Sequence, residues 1–153
     1  METHHLLKRF YLFRNADTDD IDALGARCER QHCAARELVF REGDPVDALY
    51  LVELGTIEII KASADVTVLI TVGSGGGFGE VAFFDRDPRP ASARAREASH
   101  LIKIPFTALT QTLEQRPSLA RVFYPNACVF LAKRLRRTLL DLSFAREING
   151  RHF

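Results

Sequence analysis

Glu80 and Arg89, nine residues apart, are the residues whose types and spacing best support chemistry in this sequence. A glycine-rich run at residues 73–79 comes directly before Glu80, and glycine lets a backbone approach a ligand closely. Arg89 can hold a phosphate through paired, charge-assisted hydrogen bonds. The Glu80 carboxylate only accepts hydrogen bonds, so it suits sugar hydroxyl groups. This spacing indicates a pocket for a nucleotide with few phosphates, and it equally allows a surface loop in which Glu80 and Arg89 simply pair.

The neighbours of this pair favour the pocket. Residues 80–84 are apolar enough for one helical turn against a core, and free N–H groups at the start of such a turn favour an anion. Ala91 and Ser92 are small and leave room beside a phosphate.

Motifs for enzymatic chemistry are missing from the sequence. It has no phosphate-binding loop of the Gly-x-x-x-x-Gly-Lys-Ser/Thr type and no Gly-x-Ser-x-Gly nucleophile motif. Its five histidines are scattered, and its three cysteines show no metal-ligand spacing, so we expect reduced thiols and no metal. We therefore expect a binding protein without catalytic residues.

Length, net charge and hydrophobicity further restrict the class of protein. The chain has 153 residues and a formal net charge of +1, which gives no electrostatic reason to expect nucleic-acid binding. No apolar run approaches the ~20 residues that cross a bilayer, and the N-terminus does not resemble a signal peptide. We expect a cytoplasmic protein of one domain that does not bind a membrane.

The pattern of apolar residues predicts strands between two helical regions. Residues 4–13 and a segment starting near Asp17 have helical spacing, with Ile21, Leu24 and Cys28 as the buried stripe of the second helix. From about residue 31, strand-like segments recur roughly every ten residues without helices between them. The fold class is therefore mainly β with flanking helices, as an antiparallel sandwich, barrel or jelly roll.

The C-terminal part is predicted to be helical. Pro105 and Pro117 suit helix starts, and Asn126 after Pro125 can cap a final helix. Apolar or small residues alternate at intervals of three and four in that helix, as in a coiled-coil seam. This seam, comprising Cys128, Leu131, Leu135, Thr138 and Leu142, can pack on the barrel or on a partner helix.

The motif from Phe78 to Ala82, with Pro88-Arg89 after it and Ala91-Ser92 next, resembles the phosphate-binding cassette of cyclic nucleotide-binding domains. Segments 40–45, 48–52 and 55–59, and Gly75, are similar to the same family. The resemblance implies a β-roll between N-terminal and C-terminal helices. It divides a single domain of residues 1–153 into N-terminal helices at 1–30, a β-roll at 31–104 with its cassette at 78–92, and C-terminal helices at 105–146.

The resemblance also implies the ligand, cAMP or cGMP, and the roles of site residues. Glu80 would bind the ribose 2′-hydroxyl beside the Gly79 backbone, and Arg89 would neutralise the cyclic phosphate. The base would lie under the last helix, whose movement would signal that ligand is bound. The residues expected in the site are Phe78, Gly79, Glu80, Val81, Ala82, Arg89, Pro90, Ala91 and Ser92, with Phe130, Lys133 and Arg134 as candidates for contacts with the base.

Pro90 departs from the family pattern. The family commonly has Ala, Ser or Thr after the arginine, with its backbone N–H directed at the phosphate, and proline has no N–H. Because a hydrogen bond to a charged group contributes roughly 1.5–3 kcal/mol, its loss would lower affinity about tenfold or more. The alternatives are a sensor acting on an effector protein or through a homodimer of the last helix, and an interaction module that no longer binds ligand. The residues after Leu142 are too few for a helix-turn-helix domain, so we expect no direct DNA binding.

Overall fold

The computed structural model describes residues 3–62 and 65–150. Helix α1 is Thr3–Arg9, a 3-10 helix follows at Tyr11–Phe13, and α2 is Thr18–Gly25. The strands are β1 Glu29–Cys33, β2 Leu38–Phe40, β3 Ala48–Leu54, β4 Ile57–Ala62, β5 Val66–Val72, β6 Gly77–Phe78, β7 Ser92–Ala95 and β8 Ser99–Pro105. Helix α3, Val81–Asp85, interrupts the strands, and α4 (Phe106–Gln115) and α5 (Pro117–Gly150) follow them.

Two four-stranded antiparallel sheets form a β-roll, which confirms the predicted fold class. The strand orders are β1-β8-β3-β6 and β2-β7-β4-β5. Apolar residues that face between the sheets, such as Tyr50 and Ala93, form one core cluster. A larger cluster joins the outer face of the first sheet to the helices and includes Leu51, Ile102 and Phe123. The cassette lies at the end of the roll, where β6 leads into α3.

The N-terminal elements follow the predicted pattern except at two points. Ile21 and Leu24 are buried in α2, but Cys28 lies beyond the end of that helix at Gly25 and is half-buried. Strand β1 begins at Glu29, so the strand region starts earlier than residue 31. The carboxylate of Asp20 is buried and accepts hydrogen bonds from Arg116 Nη1 at 3.1 Å and Ser118 Oγ at 2.5 Å. This residue therefore links α2 to the C-terminal helices.

Helix α5 is a single helix that contains Pro125, so the predicted start of a final helix at Asn126 is wrong. Pro125 leaves the Arg121 carbonyl without its helical donor, and the exposure of Arg121 allows water to reach that part of the helix. The Asn126 side chain instead donates hydrogen bonds to the carbonyls of Leu12 and Arg14, at 3.2 and 2.9 Å.

The seam residues of α5 do not pack on the roll. Every residue from 131 to 147 is exposed, including Leu135 at 60% and Leu142 at 48%. Of the two arrangements that the seam allowed, the structure excludes packing on the barrel. None of the helices in the described ranges is long and apolar enough to cross a membrane.

Candidate functional site

The cassette encloses a cavity of about 180 Å³ between the two sheets and α3. Its wall combines apolar side chains of the second sheet with the polar residues of the cassette and one residue from α5. The lining residues are Phe40, Ile59, Ile70, Val72, Gly77, Phe78, Gly79, Glu80, Val81, Ala82, Arg89, Pro90, Ala91 and Arg134. Most of the predicted site residues therefore meet in one place.

Gly79 holds the centre of the cassette in a conformation that glycine alone adopts easily. Its φ is +81°, and a Cβ there would lie 2.8 Å from Nη1 of Arg89. The Gly79 carbonyl accepts a hydrogen bond of 3.0 Å from that same nitrogen. The glycine is therefore required both by the turn and by the close approach of the arginine.

Arg89 is a buried cation, with 2% of its surface exposed. Nη1 donates to the Gly79 carbonyl and Nη2 to the Ala48 carbonyl, whereas Nε has no hydrogen-bond partner among the described residues. The nearest carboxylate oxygen, Oδ1 of the exposed Asp47, lies 3.7 Å from Nη2. The guanidinium carbon also lies 4.1 Å from the centre of the Phe40 ring. Burial lowers the pKa of Arg89, because desolvation disfavours its charged form.

Glu80 is the matching buried carboxylate, 3% exposed, at the start of α3. Its Oε1 lies 3.6 Å from Nη1 of Arg134, which reaches it from α5. Burial raises the pKa of Glu80, and the Arg134 charge opposes this only in part. Tyr11 is near enough for burial and the Glu80 charge to raise its own pKa, yet its hydroxyl makes no hydrogen bond of acceptable geometry among the described residues.

The three candidates for contacts with the base occupy different positions on α5. Arg134 lines the cavity, and its contact with a base stays a prediction. Phe130 stacks on Tyr11 at 4.4 Å between ring centres, and the Arg134 guanidinium lies 4.8 Å from the Phe130 ring centre. Lys133 instead borders a separate cleft with Arg14 and Phe130. Of the three candidates, Arg134 alone lines the cavity, and its guanidinium packs against the Phe130 ring.

Ser92 is the predicted cassette residue that does not line the cavity. Its Oγ accepts a hydrogen bond of 2.8 Å from the backbone N–H of Glu42, so it holds the turn before β3 against β7. Pro90 and Ala91 do line the cavity. The Pro90 carbonyl accepts a hydrogen bond of 2.9 Å from Lys61 Nζ.

Several site residues had no sequence motif to mark them: Tyr11, Phe40, Asp47 and Lys61. Phe40 lies in a segment that resembles the family, but that likeness does not indicate its contact with Arg89. Among the described residues, no group of three or more His, Cys, Asp or Glu side chains could hold a metal ion.

The chain belongs to the family of cyclic nucleotide-binding domains, whose model matches residues 30–116. It is 30% identical over 151 residues to a CRP-like cAMP-activated global transcriptional regulator of Mycobacterium tuberculosis. That alignment covers 95% of this chain and 65% of the regulator, so the chain spans about two thirds of the relative's length.

Two solved structures resemble the fold. The N-terminal domain of a transcriptional regulator from Streptomyces coelicolor superposes with a TM-score of 0.76 and 29% identity, covering 90% of this chain and 94% of that one. The regulatory domain of Toxoplasma gondii PKA, crystallised with cAMP, gives a TM-score of 0.69 and 25% identity, covering 72% of this chain and 43% of that one. These relatives, by their names, are regulatory proteins.

Proposed function

We propose that this domain is a cyclic nucleotide sensor that binds cAMP or cGMP in the cassette cavity and catalyses no reaction. The observation that carries the proposal is the buried guanidinium of Arg89. Two neutral carbonyls accept its hydrogen bonds, Nε is left without a partner among the described residues, and Asp47 is its nearest carboxylate. A buried cation with a spare donor favours an anion, and a cyclic phosphate carries one negative charge.

Glu80 gives this site its preference for a sugar. The Glu80 carboxylate is buried, and its capacity to accept hydrogen bonds is not filled, so it can accept one from a hydroxyl group. Its negative charge repels phosphate. With the phosphate on Arg89 and the ribose on Glu80, the base would extend along the apolar wall that includes Ile59 and Ile70, towards Arg134.

Ligand binding would reach α5 through Arg134. This side chain pairs with Glu80 across 3.6 Å, and Phe130 supports it. A ribose hydroxyl on Glu80 would compete with Arg134 for the same carboxylate, so the free and bound states would place α5 differently. The exposed seam that includes Leu131 and Leu135 would carry this change to a second copy of the domain or to an effector protein.

Isothermal titration calorimetry with cAMP and cGMP tests the proposal. We expect binding by the wild-type domain and a loss of about 100-fold or more in Arg89→Ala, because two charge-assisted hydrogen bonds are removed. Arg89→Lys keeps the charge but not the paired geometry, so intermediate affinity is expected.

Arg137→Ala is the matched control, since Arg137 is an exposed arginine of α5 outside the cavity. Thermal unfolding of each variant verifies that it is folded. The absence of binding by the folded wild type at millimolar nucleotide would overturn the proposal.

Pro90 favours a second candidate function, an interaction module that keeps the fold without a ligand. Proline offers no N–H to a phosphate, and the exposed seam of α5 is available for a partner whether or not a ligand is bound. This candidate predicts a dimer without nucleotide and no thermal shift on adding cAMP or cGMP. A monomer at all concentrations in analytical ultracentrifugation would count against it.

A further inference from the structure

Lys61 lies beside Pro90, a cavity-lining residue of the cassette that has no backbone N–H to donate. It belongs to β4, two residues after Ile59, whose side chain lines the cavity. Because Ile60, the preceding residue, pairs with Ser92 of the antiparallel strand β7, Lys61 lies opposite the end of the cassette. It therefore starts at the rim of the site, next to the segment where Pro90 follows Arg89.

The Lys61 ammonium group contacts Pro90 directly. Nζ donates a hydrogen bond of 2.9 Å to the Pro90 carbonyl and a second, short hydrogen bond to Oε1 of Glu42. An ammonium group has three donors, so these two contacts leave one N–H available. A cation with a free donor is thus held beside the residue that lines the cavity and has no N–H itself.

Glu42 is positioned to hold Lys61 in this place. Its backbone N–H donates to Ser92 Oγ at 2.8 Å, and Ser92 comes two residues after Pro90. The neighbouring turn is fixed by a hydrogen bond of 2.8 Å from the Gly43 N–H to the Arg89 carbonyl. The turn that carries Glu42 and the end of the cassette are therefore one bonded unit, and Lys61 bridges its two sides.

We propose that Lys61 is a phosphate-binding residue, whose free N–H replaces the backbone donor that Pro90 cannot supply. The inference rests on the proposed function, because it assigns a residue to the phosphate end of the same site. Arg89 then holds the phosphate from the buried side and Lys61 from the rim. Ser92 acts indirectly, by positioning Glu42.

The solvent exposure of Lys61 and Glu42 sets the size of the contribution that Lys61 can make to affinity. The Lys61 side chain is 47% exposed, and that of Glu42 is 39% exposed, so water and salt screen both charges. A charge-assisted hydrogen bond at such a site is expected to change affinity by about fivefold to tenfold. The effect of Lys61 should shrink as salt is added, more than that of the buried Arg89.

A double-mutant cycle tests the inference by calorimetry with cAMP and cGMP. Lys61→Ala should weaken binding of the preferred nucleotide about fivefold to tenfold. Pro90→Ala restores a backbone N–H and should strengthen binding by up to about tenfold. In the Pro90→Ala background, Lys61→Ala should weaken binding about twofold or less. The ammonium group of Lys61 and the restored backbone N–H would bind the same phosphate, so the loss of one matters less when the other is present.

Two further variants sharpen the cycle. Glu42→Gln removes the negative charge but keeps an oxygen that accepts the Lys61 hydrogen bond, so Lys61 stays in place and affinity should rise by about twofold to threefold. Lys8→Ala, a lysine of α1 whose ammonium contacts Thr18, removes the same charge far from the cassette and should leave affinity unchanged. An effect of Lys61→Ala below twofold, or equal costs in both backgrounds, would overturn the role of Lys61 while leaving the sensor function intact.

Inorganic phosphate separates this inference from the proposed function. If the wild type binds neither nucleotide, the sensor proposal fails, and the titration is repeated with phosphate alone. Phosphate binding that both Lys61→Ala and Arg89→Ala weaken would still support a two-cation anion site. The absence of both nucleotide and phosphate binding would overturn the two proposals together.

Discussion

Helix α5 is continuous, but residues of its first half are buried in the core and its second half is exposed to solvent. In the first half, Leu119 and Phe123 are fully buried and Ala127 is 3% exposed, packed with the N-terminal helices and α3. In the second half, no residue from 128 to 147 is buried. Pro125 and Asn126 lie where the first half ends, and Asn126 is bonded to the segment after α1.

The difference separates the part of α5 that the domain needs to fold from the part that is free of the core. The first half is part of the core. Within residues 128–147, Arg134 is the residue that lines the cassette cavity, where it meets Glu80. A change at Glu80 can therefore alter the second half of the helix without unpacking the first.

The largest expected effect is on stability. Phe123→Ala should lower the free energy of unfolding by about 3–5 kcal/mol, since it leaves a cavity between the helices and α3. Leu135→Ala, on the exposed half, should change it by less than about 0.5 kcal/mol in the monomer. Urea denaturation, at concentrations where sedimentation reports a monomer, measures both. A cost above about 1 kcal/mol at Leu135 would contradict the contrast between the halves.

A smaller effect is expected where the cassette faces the second half of α5. Gly79→Ala and Gly75→Ala both place an alanine at positive φ, +81° and +86°, which costs about 1–2 kcal/mol in either case. At Gly75 a Cβ meets nothing within 4 Å, whereas at Gly79 it meets Arg89.

We therefore expect Gly79→Ala to be about 1 kcal/mol less stable than Gly75→Ala, and to lose nucleotide binding that Gly75→Ala retains. Thermal unfolding and calorimetry measure the two effects. Equal behaviour of the two variants would mean that the close approach to Arg89 has no energetic consequence.

Glu80→Gln tests the buried charge through its pH dependence. Burial raises the folded-state pKa of Glu80 above its unfolded value, so the folded state binds the proton more tightly. The wild type should therefore lose stability as pH rises through the window between those two pKa values. Glu80→Gln lacks this loss, so its melting temperature should exceed the wild-type value at pH 7 by on the order of a few degrees.

The difference in melting temperature between Glu80→Gln and the wild type should shrink at acidic pH. Thermal melts from pH 4 to pH 8 measure it. If the gap between the two proteins stays constant over this range, Glu80 does not titrate with a raised pKa. The same variant should also bind nucleotide more weakly, because an amide is a poorer acceptor than a carboxylate.

The smallest expected effect belongs to Arg134→Ala. Its side chain is 44% exposed, so loss of the ion pair with Glu80 should change stability by less than about 0.5 kcal/mol. In the proposed mechanism Arg134 competes with the sugar for Glu80, so its removal should strengthen nucleotide binding by about twofold to threefold. Arg137→Ala is again the control, and weaker binding by Arg134→Ala would mean that this residue holds the ligand rather than opposing it.

The cassette could be predicted because its residues are close in sequence. Glycine conformation, the turn at Glu80 and the charge of Arg89 are local properties. Tyr11 and Lys61 reach the site from distant segments, and no local pattern distinguishes them from other tyrosines and lysines.

Helix α5 illustrates the limit in physical terms. Asn126 was expected to cap a new helix, but the carbonyls that it bonds are more than 110 residues away in sequence. Phe130 lies three residues before Lys133 and four before Arg134, so it neighbours both, yet Arg134 lines the cassette cavity and Lys133 a separate cleft. Sequence alone specifies that period but not which face meets the cavity, so only the packing of the first half distinguishes Arg134 from Lys133.

Because α5 is long, a small tilt of the helix moves its far end by a large distance. From Cys128 to Gly150 the helix continues past the last buried residue, about 34 Å at ~1.5 Å per residue. A tilt of about 10° at Ala127 would move its far end by about 6 Å, more than one helical turn. The core fixes one end of this lever, and Arg134 lies about 10 Å along it, so a displacement at Arg134 would be amplified about threefold at the far end.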